Sequence, residues 1–146
     1  MNNSQIYDLD RFVRAQSQDS CGYADALAEM KAGRKESHWV WYIFPQLRQL
    51  GHSTNAVYFG IENLEEAQLY LAHPVLGERL REITEVVLAS PVTEPDVLMG
   101  WNVDSKKLHS CMTLFDRASG TADNVFRQVL DKYFAGQGCP LTLDLL

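Results

Sequence analysis

The sequence predicts a mainly α-helical fold: a compact single-domain multi-helix array over residues 1–146, with room for one or two short extended segments. Three observations predict it. Apolar residues recur at three- and four-residue spacing through most of the chain. Helix start and stop residues bracket those stretches. A chain of 146 residues that is 46% hydrophobic and 22% charged has the make-up of one ordinary globular core.

Taken in order, Leu9, Phe12, Val13 and Gln16 follow i, i+3, i+4, i+7, with Asp8 as the expected N-cap. Tyr23, Ala26, Leu27 and Met30 repeat the pattern, and Gly33 stands where a C′ glycine ends a helix. Asn63 opens the next helix, with Glu66 as its capping partner and Leu64, Ala67, Gln68 and Leu71 as its stripe. His73-Pro74 breaks the chain, and Pro74 suits the first turn of the helix that carries Leu76, Leu80, Ile83 and Val87. Thr93 is placed to cap a short turn over residues 96–99. Asp104 is the expected cap of a helix with Leu108, Cys111, Met112 and Phe115 inward. A last helix is expected over residues 122–135, with Phe126, Val129, Leu130 and Tyr133 inward and Gly136 as its stop. The apolar tail 139–146 is expected to dock on the body.

Two segments carry no clear period. Residues 37–44 form an aromatic run that fits a buried helix or a strand, and Pro45 does not decide between them. Residues 56–61 are rich in strand formers but too short to build a sheet.

Composition narrows the function classes. The net charge is −6, which opposes phosphate-driven nucleic-acid binding, so no nucleic-acid partner is expected. No stretch approaches the ~18 apolar residues of a membrane span, and none is expected. Residues 1–10 are polar and acidic, unlike a signal peptide. Cys21, Cys111 and Cys139 are odd in number and widely spaced, which fits neither a disulfide framework nor a zinc site. A reducing cytoplasm is the expected location. His38, His52, His73 and His109 are scattered, with no helical spacing suited to a metal, and no phosphate loop or dinucleotide turn is present. Neither metal nor cofactor is expected. The carboxylates Glu65/Glu66 and Glu78/Glu82/Glu85 fall on expected outer helix faces, where they read as solvated. Cys111 reads as core, because His109 two residues away faces elsewhere on a helix.

Two stretches do carry chemistry. In residues 33–46, Arg34 and Lys35 stand beside His38, Trp41 and Gln46. Cations and N–H groups suit a phosphate or carboxylate, and an indole suits a planar ring. The plain alternative is that the aromatics are core and the cations merely complement a helix C-terminus from solvent. In residues 104–115, Asp104 and Lys107 share a helix face, with Lys107 at the edge of a candidate pocket. Ser110 is a further polar candidate, although Ser110 and Thr113 equally suit bonds to carbonyls one turn back.

Within these stretches the chain resembles the DUF1810 proteins, an uncharacterised family. The resemblance rests on Gly33-Arg-Lys-Glu-Ser-His-Trp-Val-Trp-Tyr-Ile-Phe-Pro-Gln-Leu, on Arg11-Phe12-Val13-x-Ala15-Gln16, and on Tyr70-Leu71-x-His73-Pro74 with Leu76-Gly77-x-Arg79-Leu80. Lys107-Leu108-x-Ser110-x-Met112-Thr113-Leu114-Phe115 completes it. It implies a mainly helical compact fold and no established activity. Two places depart from the family pattern: Gly100-Trp101-Asn102-Val103 replaces its Phe-Gly before Asp104, and Cys111 replaces a serine.

Two functions of different class follow as expectations. One is a pocket, binding or enzymatic, for a small anionic, nucleotide-like ligand built from Arg34, Lys35, His38, Trp41, Gln46, Asp104, Lys107 and Ser110. The other is a non-enzymatic module that docks a protein partner through exposed aromatics.

Overall fold

The computed structural model describes residues 7–146. Ten α-helices make up the described chain, in agreement with the helical periodicity, and no strand is present among these residues. They are α1 (Asp10–Gln16), α2 (Tyr23–Lys31), α3 (Val40–Ile43), α4 (Thr54–Tyr58), α5 (Leu64–Ala72), α6 (Leu76–Ala89), α7 (Pro95–Leu98), α8 (Asn102–Ser119), α9 (Val125–Tyr133) and α10 (Pro140–Leu145). The reading of residues 1–10 falls mostly on residues 1–6, which lie outside the described ones.

The 18-residue α8 is the axis of the fold. It packs against α5, α9, α7, α10 and α3, while α6 closes the other side against α2, α5 and α9. Leu108, Cys111, Met112 and Phe115 are buried along α8, as the spacing predicts. Leu76, Leu80, Ile83 and Val87 of α6 and Phe126, Val129, Leu130 and Tyr133 of α9 are buried too. Removing each such side chain from water contributes about 1.5–3 kcal/mol, which makes this the dominant stabilising set.

Helix ends differ more than helix faces. Asn63 caps α5 as expected, accepting from Glu66 N at 3.0 Å, but the Glu66 carboxylate turns to Glu62 N at 2.7 Å. Asp8 does not cap α1: it sits at φ 42° and lends its carbonyl to Arg11, leaving Leu9 as the cap position. Pro74 lies ahead of α6, which starts at Leu76. There His73 Nδ1 accepts from Val75 N and Leu76 N at 3.1 and 3.2 Å. Thr93 caps nothing, since α7 begins at Pro95 after Glu94. The last long helix is shorter than residues 122–135, starting at Val125 because Asn124 accepts from Arg127 N at 2.9 Å. Gly136, at φ 73°, closes that end as expected.

Burial corrects one stripe. On α5, Gln68 is exposed and Glu66 and Tyr70 are buried in its place. Glu66 is therefore not solvated: Arg11 Nη1 lies 2.9 Å from its Oε2, and Arg11 is buried on α1. Glu65, Glu78, Glu82 and Glu85 are exposed. The ambiguous run 37–44 resolves as the short helix α3. Residues 56–61 split between α4 and one isolated parallel bridge, Leu47 to Ile61.

Candidate functional site

The site is built where the segment after α2 meets the start of α8. Gly33 ends α2 at φ 82°, with its N–H on the Met30 carbonyl and Arg34 N on the Glu29 carbonyl. That left-handed turn favours glycine. The chain then folds back over α2, and Glu29 holds it there. The Glu29 carboxylate accepts from Glu36 N at 2.6 Å, Ser37 N at 2.9 Å, Trp39 Nε1 at 2.9 Å and the Ser37 hydroxyl. Burial opposes ionisation of Glu29, yet the bonds from Ser37, Glu36 and Trp39 outweigh it and hold its pKa below the ordinary value. Trp39 is buried to 0% exposure and anchors the segment in the core.

Lys35 is thereby carried inward rather than left in solvent, and only 7% of it is exposed. Its Nζ lies 2.8 Å from Asp104 Oδ2 and donates to the Ser37 carbonyl at 2.5 Å. Its backbone N–H donates to the Leu98 carbonyl at 2.8 Å, tying the segment to α7. Gly100, at φ 86°, makes the close approach possible: a Cβ there would stand 2.9 Å from the Lys35 carbonyl oxygen. Asp104 is not the helix cap. It lies within the first turn of α8, whose N-cap position is Trp101 and carries no side-chain cap. Instead Asp104, 5% exposed, pairs with Lys35 and receives Lys107 Nζ at 3.6 Å on Oδ1. Taking a carboxylate out of water costs several kcal/mol, and two ammonium groups offset that cost here.

A concavity of about 430 Å³ opens on this cluster, lined by Arg34, Lys35, Glu36, His38, Trp101 and Asp104 over the Met99–Gly100 backbone. Four of the residues singled out in the sequence thus meet: Arg34, Lys35, His38 and Asp104. Lys107 is joined to them through Asp104, with its Nζ 5.7 Å above the Trp41 ring. Trp41 Nε1 is buried without a hydrogen-bond partner among the described residues. Two candidates lie elsewhere. Gln46 gives its carbonyl to Ile61 N at 2.8 Å in the isolated bridge. Ser110 does not bond one turn back but sits 2.7 Å from Thr142 Oγ1, fastening α10 to α8, while Thr113 does bond back to His109 O at 2.8 Å.

Three participants were not singled out in the sequence: Glu29, Glu36 and Trp101. No motif or spacing marks Glu29 or Glu36 in the sequence. Trp101 is 56% exposed, whereas Trp39 is fully buried, a difference that composition does not record. Cys111 is buried, and burial pushes its thiol pKa well up, consistent with a core residue. The three cysteines are free. Among the described residues, no cluster of His, Cys, Asp or Glu is placed to hold a metal ion, and no helix is long and apolar enough to cross a membrane.

Fold and site together define an all-helical protein with a polar concavity at the start of its longest helix. Residues 6–146 match the family described as "Protein of unknown function (DUF1810)", and the chain belongs to that family. It is similar to a solved crystal structure, that of the conserved hypothetical protein Rv1873 from Mycobacterium tuberculosis. The two are 45% identical with a TM-score of 0.89, covering 95% of this chain and 96% of that one. No curated protein matches the chain.

Proposed function

We propose that this protein binds a small anionic, nucleotide-like ligand in the concavity between residues 34–38 and the start of α8. The observation that carries this reading is the convergence of Arg34, Lys35, His38 and Asp104 on one space of about 430 Å³. That volume lies in the range of about 300–1,000 Å³ typical of small-molecule sites. Arg34 is exposed and makes no ion pair among the described residues, so its guanidinium is available to a carboxylate or phosphate. The start of an 18-residue helix with no side-chain cap adds a favourable field for an anion. His38, exposed at the rim, adds an imidazole that can hydrogen-bond the bound molecule. Three free cysteines support a reducing, cytoplasmic setting.

A thermal-shift measurement against nucleotides, sugar phosphates and common carboxylates tests this. A ligand present at ~100 times its Kd stabilises the fold by about 2.7 kcal/mol, a rise of several degrees in Tm. The expected result is a shift with phosphorylated ligands that disappears in Arg34→Ala. A folded protein that shifts with none of them removes the reading. The second reading, a module that docks a protein partner, is favoured by the exposure of Trp101 together with Val97 and Val103. Silence in the ligand panel, together with capture of one defined partner that Trp101→Ala abolishes, would support it.

A further inference from the structure

Resting on the pocket reading, the class of ligand follows from what lines the cavity besides its cations. Its charged lining consists of two cations, Arg34 and Lys35, against two carboxylates, Glu36 and Asp104. Within that lining Lys35 and Asp104 pair at 2.8 Å, while Lys107 reaches Asp104 at 3.6 Å from outside it. Arg34 and Glu36 remain, both exposed and on either side of Lys35 in the chain. A site built for a polyanion would carry a surplus of cations, because each phosphate taken out of water needs a partner. A lining balanced in this way suits one anionic group beside hydroxyl or amino donors that a carboxylate accepts.

The remaining wall is Trp101. It is the one tryptophan of the three with more than half its surface exposed, held between Gly100 and the first turn of α8. An indole held in a fixed backbone position at the edge of a polar cavity offers a flat face to a ring, and base–aromatic stacking is tolerant of base identity. Carboxylates at nucleotide sites accept from the ribose hydroxyls. We infer that the site selects a ribonucleoside monophosphate: base on Trp101, ribose hydroxyls on Glu36, the single phosphate on Arg34.

Isothermal titration with the four ribonucleoside 5′-monophosphates, ribose 5-phosphate, 2′-deoxyadenosine 5′-monophosphate and ATP tests this on the intact protein and on Trp101→Ala, Glu36→Gln and Arg34→Ala. At least one monophosphate should bind about tenfold or more tightly than ribose 5-phosphate, the gain expected of one stacked base. Trp101→Ala should erase that ratio while leaving ribose 5-phosphate affinity within about twofold. ATP should gain nothing over adenosine 5′-monophosphate. The penalty for the 2′-deoxy nucleotide should vanish in Glu36→Gln. Circular dichroism melts of the variants, whose replaced side chains are exposed, establish that they fold. Ribose 5-phosphate binding as tightly as every monophosphate, or ATP binding tenfold better, overturns the inference while the anion pocket stands. Binding of none of these compounds at millimolar concentration overturns the pocket reading and this inference with it.

Discussion

Two buried ion pairs in this protein do different work. Arg11 of α1 pairs with Glu66 of α5, and each of its three guanidinium nitrogens donates to a backbone carbonyl. Nε donates to Tyr58 O, Nη1 to Tyr7 O and Asp8 O, and Nη2 to Gly60 O, at 2.8, 2.5, 2.9 and 2.8 Å. Glu66 Oε2 is therefore held by the neighbouring charge rather than by an aligned hydrogen bond. This pair ties the N-terminal helix to the loop before α5. Lys35 and Asp104 are about as buried, and both pairs line a concavity, but here two ammonium groups share one carboxylate. A guanidinium saturated by backbone carbonyls has nothing left for a ligand. A cation cluster beside Arg34, which makes no ion pair among the described residues, does.

The largest expected effect comes from breaking the saturated pair. Arg11→Met leaves Glu66 buried without a cation and removes a donor from four backbone carbonyls, of which Asp8 O keeps its bond from the residue 11 N–H. It should cost about 3–5 kcal/mol, a fall in Tm on the order of 10 °C by thermal melting. Lys35→Met should cost less, about 2 kcal/mol in urea unfolding, because Lys107 remains 3.6 Å from Asp104 as a substitute counter-ion. Equal losses for the two variants would erase the distinction between the pairs.

Glu29→Gln sharpens the comparison at the smallest scale, since Glu29 holds the loop that carries Lys35. Replacing an acceptor of four hydrogen bonds by an amide should cost about 1 kcal/mol at pH 7, with solvent screening reducing what a dry site would lose. The sign with pH follows from the lowered pKa of Glu29. Its contribution is fully present above the unfolded carboxylate value of about 4.3, and is lost as pH falls through the lower folded value. The stability difference between wild type and Glu29→Gln should therefore shrink as pH is lowered from about 5, measured by urea unfolding at each pH. A difference that stays constant over that range would mean the loop is not held by the ionised carboxylate.

Much of the fold was legible in the sequence because burial along a helix repeats every three to four residues. The stripes of α6, α8 and α9 needed nothing more. Caps were less legible. Asn63 was readable, but Asp8, Thr93 and Asp104 are residue types that favour caps and cap no helix here, Asp8 facing Arg14 and Asp104 pairing with Lys35. Conversely, His73 caps α6 with a ring nitrogen that no composition rule flags. The candidate site was half legible. Arg34, Lys35, His38 and Asp104 were marked by polar residues set among apolar ones, and they do meet. Gln46 and Ser110 bore the same mark and lie outside the cavity lining, the Gln46 backbone beside the 47–61 bridge and the Ser110 hydroxyl against Thr142 of α10.

Local sequence was enough to set the helicity of this chain, the inward faces of its longer helices, the end of α2, the start of α5 and the stop of α9. Those properties depend on neighbours within one or two turns, and spacing records them. Only the tertiary structure decided that Lys35 is buried and Arg34 is not, that Glu66 is core, and that Trp101 stands open beside the cavity. Each depends on a partner far away in the chain: Asp104 for Lys35, Arg11 for Glu66, and the packing of α7 on α8 for Trp101. A charged side chain is driven into or out of water by the partner it finds, and that partner is fixed only once the helices have packed.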